Sequence, residues 1–221
     1  MVIPPRHDRK AQTALANAAS LVHFFRMADK FLDLLFTPAV LDAQRHYYGR
    51  APLPSGDRSD DPLGTDEASF IGSRDSFYLS SVSETGWPYV QHRGGPPGFL
   101  KVIASDELAF ADYKGNRQML STGNLATNDR VCLFLMDYPH RVRLKILGHA
   151  SVLDAREHPD LADQVADPAM RQVTERIFRI KVVSFDWNCP KYITPRYTID
   201  EVNEAIAPLK QRLAELERGS L

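Results

Sequence analysis

The spacing of apolar residues predicts helices in the first part of the chain. Over residues 10–36, apolar side chains recur at steps of three and four, as they do on one face of a helix. Thr37-Pro38 ends this pattern, because proline lacks the amide hydrogen that a continuing helix needs. A second short helix is expected over residues 39–48. Residues 49–67 are rich in Pro, Gly, Asp and Ser, which is typical of a linker or a covering loop.

After residue 67 the pattern changes to partial alternation of Val, Ile, Phe and Leu with polar residues, which indicates β-strands. The predicted strands cover residues 77–83, 87–91, 99–103, 107–111, 131–136, 142–153 and 177–185. Short helices are expected over residues 117–125 and 157–165. Because six or more strands follow one another with few helices between them, the sequence favours an antiparallel barrel over a doubly wound parallel sheet.

The last segment of the chain carries a heptad pattern. Apolar side chains recur there at steps of four, three, four and three residues: Val202, Ile206, Leu209, Leu213 and Leu216. Such a stripe is typical of a helix that packs on a partner helix. Pro208 interrupts the pattern, so the helix is expected to begin or to kink at this residue.

Composition and charge narrow the classes of function. The 221 residues include 27 Lys and Arg against 28 Asp and Glu, a formal net charge of −1 at pH 7. General nucleic-acid binding is not expected, because it usually needs a basic excess. No apolar run approaches the ~18 residues of a membrane span, and no signal peptide is recognised, so the expected location is the cytoplasm. Cys132 and Cys189 match no metal-ligand spacing, and no metal site is predicted.

Two clusters near predicted strand ends are candidates for binding. In the first, a strand runs into Gly94, Gly95 and two prolines, so main-chain amides stay open to a flat or anionic ligand beside His92 and Arg93. The alternative is a tight barrel corner with a solvated arginine. In the second, over residues 112–118, a helix N-terminus with two nearby cations suits a phosphate. A capped helix start with solvated cations is the alternative.

Two further clusters lie later in the chain. Alternation points Arg141, Arg143 and Lys145 to one face of a strand, which fits either an electron-rich heterocycle or an ordinary outer face. In the other cluster, Trp187 suits stacking on a ring and Arg196 suits an anion, although packing and surface positions fit them equally. The sequence has no dinucleotide-binding, nucleophile-elbow, zinc-protease or Walker motif. If the protein is an enzyme, a bound cofactor should therefore carry the chemistry.

Taken in order, these passages resemble the pyridoxamine 5'-phosphate oxidase-like family, the FMN-binding split β-barrels. The matching passages are residues 74–79, 86–96, 114–118, 128–131 and 143–148, and the resemblance spans about residues 65–196. It implies a mainly β (α+β) fold, a six-stranded antiparallel split barrel with flanking N- and C-terminal helices. The implied organisation is a helical extension and linker over 1–64, the FMN-binding barrel over 65–198 and a C-terminal helix over 199–221.

The resemblance also implies a homodimer with FMN at the subunit interface. Gln91 and Pro96 fall where the family's oxidases carry an arginine and a lysine, so Arg93 is expected to take over the phosphate and His92 to face the ring. Trp187 and Arg196 resemble the family's C-terminal Trp and Arg near the ring, but the family pattern between them is missing, which argues against pyridoxamine phosphate as the substrate. The family's phosphate grip aligns with residues 115–117. The implied cofactor-binding residues are Gln91, His92, Arg93, Gly94, Gly95, Asn116, Arg117, Gln118, Arg143, Lys145, Trp187 and Arg196.

Two functions follow from this resemblance. The leading hypothesis is an FMN-dependent oxidoreductase that transfers hydride or electrons between a reduced donor and an unidentified small substrate. Arg143 or Lys145 would then stabilise the negative charge of the reduced flavin. The alternative is a non-catalytic protein that binds or senses a flavin, haem or a deazaflavin, since the sequence shows no recognisable general acid or base.

Overall fold

Seven strands form one antiparallel sheet in the computed structural model, which describes residues 29–52, 61–115, 117–187 and 191–218. The strands are β1 (Ser76–Val82), β2 (Pro88–Gly94), β3 (Lys101–Ala104), β4 (Glu107–Tyr113), β5 (Arg130–Asp137), β6 (Val142–Asp154) and β7 (Thr174–Trp187). Their order across the sheet is β2-β1-β5-β6-β7-β4-β3, and every neighbouring pair is antiparallel. The prediction of a mainly antiparallel α+β fold is confirmed.

The expected six-stranded split barrel needs two corrections. The sheet has seven strands, and it is open, with β2 and β3 as its unpaired edges. The residues between these edges include Pro96 and Pro97, which have no N–H to extend a ladder. The short strand β3 instead pairs with β4, and its register shifts between Val102 and Ala104.

Aromatic side chains connect β1 and β4, which have no backbone hydrogen bonds to each other. Phe77 of β1 stacks on Phe99 with ring centroids 5.5 Å apart and meets Phe110 of β4 edge-on at 5.3 Å. Phe110 in turn stacks on Phe178 of β7 at 4.9 Å. All four rings are buried in the main hydrophobic core. The sheet therefore curls until the inner faces of β1 and β4 share one core.

Helices flank this sheet. They are α1 (Asp29–Leu35), α2 (Pro38–Tyr48), α3 (Thr65–Gly72), α4 (Leu120–Thr127), α5 (Pro159–Val165) and α6 (Ile199–Arg218), with a 3-10 helix over Pro168–Val173. The Thr37 hydroxyl caps α2 by accepting the Val40 amide at 3.4 Å, and Pro38 occupies its first turn. None of the helices within the described ranges has the length and hydropathy needed to cross a membrane.

Three helix predictions need comment. Residues 10–28 of the first predicted helix lie outside the described residues. Helix α3 begins inside the segment expected to be a loop, where the Glu67 carboxylate accepts the Gly64 amide at 2.9 Å. Helix α6 begins at Ile199, where the C-terminal helix was expected to begin, and Pro208 lies within it. Of the two expectations for this proline, a helix start or a kink, the start is therefore wrong.

Alternation along the strands separates two faces, and this separation positions the candidate site. Phe77 and Leu79 of β1 point into the core, and they lie opposite Arg93 and Gln91 of β2 in the ladder. Tyr78 points outward and lies opposite His92. Neighbouring residues of β2 therefore serve different faces of the sheet.

Gly148 offers a test of the β6–β7 packing. It lies at the register shift between these strands, and an added Cβ would lie 2.7 Å from both the Lys181 carbonyl oxygen and Ile180 Cγ2. We predict that Gly148→Ala lowers the free energy of unfolding by about 1–3 kcal/mol in urea denaturation. Gly123→Ala is the control, because nothing lies within 4 Å of its Cβ position and alanine favours helix α4. Equal stability of the two variants would contradict the described packing.

Candidate functional site

Two of the predicted clusters meet at a polar cavity between the edge strand β2 and strand β4. Gln91 and Arg93 come from β2, and Gln118 comes from the loop between β4 and α4. The cavity has a volume of about 120 Å³. Its lining residues are Tyr89, Gln91, Arg93, Asp112, Tyr113, Gln118, Met119, Leu120, Ser121, Thr122 and Arg176.

A three-residue ion network forms the charged wall of this cavity. Asp112 accepts Arg93 Nη1 at 2.8 Å through one carboxylate oxygen, and its other oxygen accepts Arg176 Nε at 2.9 Å and Nη2 at 2.8 Å. The three side chains are only 12–16% exposed. Arg176 Nη1 also pairs with Glu175 Oε2 at 3.0 Å, but this carboxylate is 44% exposed and does not line the cavity. Among the lining residues, two guanidinium groups therefore face one carboxylate. Guanidinium groups in a partly desolvated place attract an anion.

The Arg93 guanidinium is the most constrained of the three groups. It lies 4.7 Å above the ring of Phe178 and 5.5 Å above that of Phe110. Burial lowers its pKa, and the nearby Asp112 carboxylate opposes this by charge and hydrogen bonding. Its buried Nε has no hydrogen-bond partner among the described residues. Because arginine stays protonated in proteins, Arg93 contributes a positive charge whose hydrogen-bonding capacity is not used up.

Helix α4 fixes the polar groups on the other side of the cavity. The Ser121 hydroxyl donates to Gln91 Oε1 at 2.8 Å, and Asn124 Nδ2 donates to Ser81 Oγ at 2.9 Å. Met119, directly before α4, has a φ of 57°, a left-handed conformation that few residues other than glycine adopt. The Gln91 oxygen is therefore engaged by the helix, and its amide NH₂ is the group left to donate to a ligand.

The other predicted residues of the first two clusters lie outside this cavity. His92 is exposed on the outer face, with its ring 5.6 Å from that of Tyr78. The Gly95 amide donates to the Asp75 carbonyl at 2.9 Å, and an added Cβ there would meet the Phe99 ring at 2.7 Å. Packing therefore explains this glycine, and its amide is not open to a ligand. Gly94 is exposed at the end of β2.

The loop before α4 also carries two of the predicted phosphate ligands. Arg117 is exposed and directly precedes Gln118, which lines the cavity. Asn116 lies outside the described residues. Gln91 and Arg93 of the first cluster and Gln118 of the second thus line the same cavity.

The cations of the third cluster lie on the outer face of the sheet. The Arg143 guanidinium lies 5.5 Å above the ring of Phe134. Lys145 Nζ is 3.3 Å from an Asp186 carboxylate oxygen and 5.5 Å above the ring of Phe31 in α1. Inward neighbours such as Leu144 are fully buried. The sheet therefore separates these two cations from Arg93.

The fourth cluster divides between the core and the surface. Trp187 is buried, its Nε1 donates to Glu67 Oε1 at 2.7 Å, and its ring meets Phe70 edge-on at 4.8 Å. This indole holds α3 against the sheet and is not exposed for stacking on a ligand. Arg196 is exposed and lies 5.0 Å above the ring of Tyr138. Burial and a hydrogen bond with Tyr78 raise the pKa of Tyr138, against the opposing charge of Arg196.

Two residues of the ion network were missed in the sequence. Asp112 lies in the second cluster but has no motif that marks it as functional. Arg176 falls just before a predicted strand, and only the β4–β7 register places it opposite Asp112. Nothing in the order of residues along the chain links these two positions.

Comparisons with known proteins agree with this fold. The family model described as Pyridoxamine 5'-phosphate oxidase matches residues 65–186. No curated protein matches the chain.

Three solved structures illustrate the structural similarity. The chain is 10% identical to the H111A variant of HupZ from Group A Streptococcus, covering 57% of this chain and 99% of that one, with a TM-score of 0.45. It is 12% identical to an FMN-binding protein from Syntrophomonas wolfei subsp. wolfei, covering 55% of this chain and 83% of that one, with a TM-score of 0.44. It is 11% identical to a protein related to general stress protein 26 from Clostridium acetobutylicum, covering 62% of this chain and 94% of that one, with a TM-score of 0.43. Similarities of this size do not identify a ligand for the present chain.

Replacing Asp112 with asparagine tests the electrostatics of the cavity. The change leaves two guanidinium groups without their shared counter-charge, so we expect the free energy of unfolding to fall by about 3 kcal/mol. Inorganic phosphate should then raise the melting temperature of Asp112→Asn more than that of the unaltered protein, because the lining of the cavity then holds two guanidinium groups and no carboxylate. Scanning fluorimetry with and without phosphate measures both effects.

Glu107→Gln is the matched control for this prediction. It breaks an ion pair with Arg179 between the same two strands, outside the cavity. Its response to phosphate should equal that of the unaltered protein. The same phosphate response in all three proteins would contradict anion binding in the cavity.

Proposed function

The chain belongs to the pyridoxamine 5'-phosphate oxidase family, and from this premise we propose that it binds FMN and transfers hydride or electrons between a reduced donor and a small substrate. The observation that carries the proposal is the cavity in which Arg93 and Arg176 both pair with Asp112, the one carboxylate among its lining residues. A donor-rich cavity with two guanidinium groups beside a helix start is a suitable place for a phosphate.

The size and donor set of the cavity fit the phosphate end of a flavin. A volume of about 120 Å³ is well below the roughly 300–1,000 Å³ of pockets that enclose whole drug-sized ligands. The groups that would hold the phosphate are the Arg93 and Arg176 guanidiniums and the Gln91 amide, with Arg117 added from the adjacent loop. The unpartnered Nε of Arg93 supports this fit, because a buried donor without a partner is costly.

The ring of the flavin would then lie outside the cavity, and contact between this ring and Arg143 or Lys145 needs a second copy of the chain. Arg143 and Lys145 lie on the outer face of β6, whereas Arg93 lies on the inner face of β2. Three strand spacings, about 14 Å, and the sheet itself separate the two sets within one chain. We therefore propose a homodimer in which the phosphate cavity of one copy faces the outer cations of the other.

Each set of residues then has its own role. Bound FMN would supply a hydride-accepting and hydride-donating atom, N5 of its ring. Arg93, Arg176 and Arg117 would hold the phosphate and so fix the position of the cofactor. Arg143 and Lys145 would stabilise negative charge on the reduced ring, which favours reduction. Lys145 is held in place by Asp186 and by the Phe31 ring.

A non-catalytic role is the second candidate, and one observation favours it. Among the residues that line the cavity, Asp112 is the sole carboxylate and there is no histidine. Both carboxylate oxygens of Asp112 already accept hydrogen bonds from arginines. A flavin store or sensor, or a binder of haem or a deazaflavin, needs no such group. Reduction of the bound flavin by a nicotinamide donor would distinguish the enzyme from the sensor.

The phosphate assignment predicts a preference for FMN over riboflavin, which lacks the phosphate. One charge-assisted hydrogen bond contributes about 1.5–3 kcal/mol, so FMN should bind at least about tenfold more tightly. Arg117→Ala should remove much of this preference, and quenching of flavin fluorescence during titration measures it. Arg45→Ala on α2 is the control, since it removes the same charge from an exposed helix outside the cavity. Equal affinity for FMN and riboflavin would exclude a phosphate site.

The two-copy site predicts complementation between variants. Arg117→Ala and Arg143→Ala should each weaken FMN binding as homodimers, because each removes one half of every site. After co-refolding of equal amounts, about one quarter of the sites should regain the unaltered affinity, since a mixed dimer contains one intact site. A titration of the mixture that equals the mean of the two separate variants would show that the site lies within one chain.

A further inference from the structure

Helix α6 carries an apolar stripe that is exposed in the single chain. No residue of this helix is buried. The most exposed apolar side chains are Ile199 at 80%, Leu209 at 67% and Leu213 at 60%. Most of the stability of a protein helix comes from packing of its apolar face, and an apolar stripe along a helix of twenty residues usually packs against another surface.

We infer that α6 pairs with α6 of a second copy of this chain as a parallel two-stranded coiled coil. This inference goes beyond the flavin site, because no residue of the stripe lines the phosphate cavity. The stripe fills six core positions of three heptads. Position a holds Ile199, Ile206 and Leu213, and position d holds Val202, Leu209 and Leu216. The central heptad, with Ile at a and Leu at d, is the combination that favours two parallel strands.

The charges beside the stripe match a second copy better than a foreign helix. Arg212 occupies position g and Glu217 the following position e. In a parallel pair, Arg212 lies beside Glu217 of the partner subunit, and symmetry repeats this contact. In an antiparallel pair, Lys210 at position e would lie beside Lys210 of the partner subunit, which is repulsive. The helix is therefore electrostatically self-complementary in the parallel arrangement.

Local features of α6 are compatible with this pairing. Arg212 now pairs with Glu215 of its own helix at 3.0 Å, and its side chain is 68% exposed. An exposed pair of this kind contributes little, so Arg212 can turn to a partner at small cost. Pro208 lies at position c, on the side away from positions a and d. The carbonyl that loses a backbone donor because of this proline is that of Glu204, at position f, which is also on the outward side.

A disulfide test shows whether α6 of a second copy packs on the stripe and whether the two helices run parallel. Leu216→Cys is made in the full chain with Cys132→Ser and Cys189→Ser, and Ala214→Cys in the same background is the control. In a parallel pair the two introduced thiols of Leu216→Cys meet, whereas in an antiparallel pair they are about 25 Å apart at 1.5 Å rise per residue. Mild oxidation should cross-link the Leu216→Cys variant into a covalent dimer and leave the Ala214→Cys control monomeric on a denaturing gel. No cross-link, or equal cross-linking of both variants, would overturn the inference.

Sedimentation equilibrium provides the second measurement. Leu209→Glu combined with Leu213→Glu should raise the dimer dissociation constant at least tenfold. The control pair, Gln211→Glu with Ala214→Glu, adds the same charge on the outward side of α6 and should leave the constant unchanged. Equal constants would overturn the pairing and indicate that another segment or a different protein covers the stripe. FMN titration separates the two proposals, because cross-linking without flavin binding would contradict only the flavin site.

Discussion

The carboxylate of Asp112 links parts of the sheet that the backbone leaves unpaired. It holds Arg93 from the edge strand β2 and Arg176 from β7, while β2 and β3 have no hydrogen bonds to each other. Below this bridge, the stacked rings of Phe110 and Phe178 support the Arg93 guanidinium. The wall of the cavity and the positions of both guanidinium groups depend on this one carboxylate. Structure and binding chemistry are thus coupled at a single residue.

The alternation of side chains on β2 has a consequence for assembly. Arg93 and His92 are neighbours in the chain, but the strand directs them to opposite faces. A phosphate held at Arg93 is therefore on the other side of the sheet from Arg143 and Lys145. A second copy reconciles the two sets, and the self-complementary heptads of α6 provide a separate reason for two chains to associate. Dimerisation and cofactor binding would then support each other, because each places residues that the other needs.

The extent to which the sequence predicts this structure depends on the range of the interactions involved. All seven strands follow from alternation, and the end of α1 before Thr37 and Pro38 follows from the proline, because these signals are local. The openness of the sheet is not local: it depends on whether its two edges meet. The pairing of Asp112 with Arg176 depends on the β4–β7 register, and the burial of Trp187 depends on Glu67 of a helix that the turn-rich composition of its surroundings concealed. These features can be predicted only when the tertiary structure is known.

The most direct test of the central claim is a crystal structure of the protein grown with FMN. The account predicts that the phosphate lies within about 3 Å, hydrogen-bond distance, of the Arg93 and Arg176 guanidiniums. It also predicts that the ring lies against the Arg143 face of a second copy. A phosphate bound elsewhere, with Asp112, Arg93 and Arg176 unchanged and the cavity filled by solvent, would contradict it.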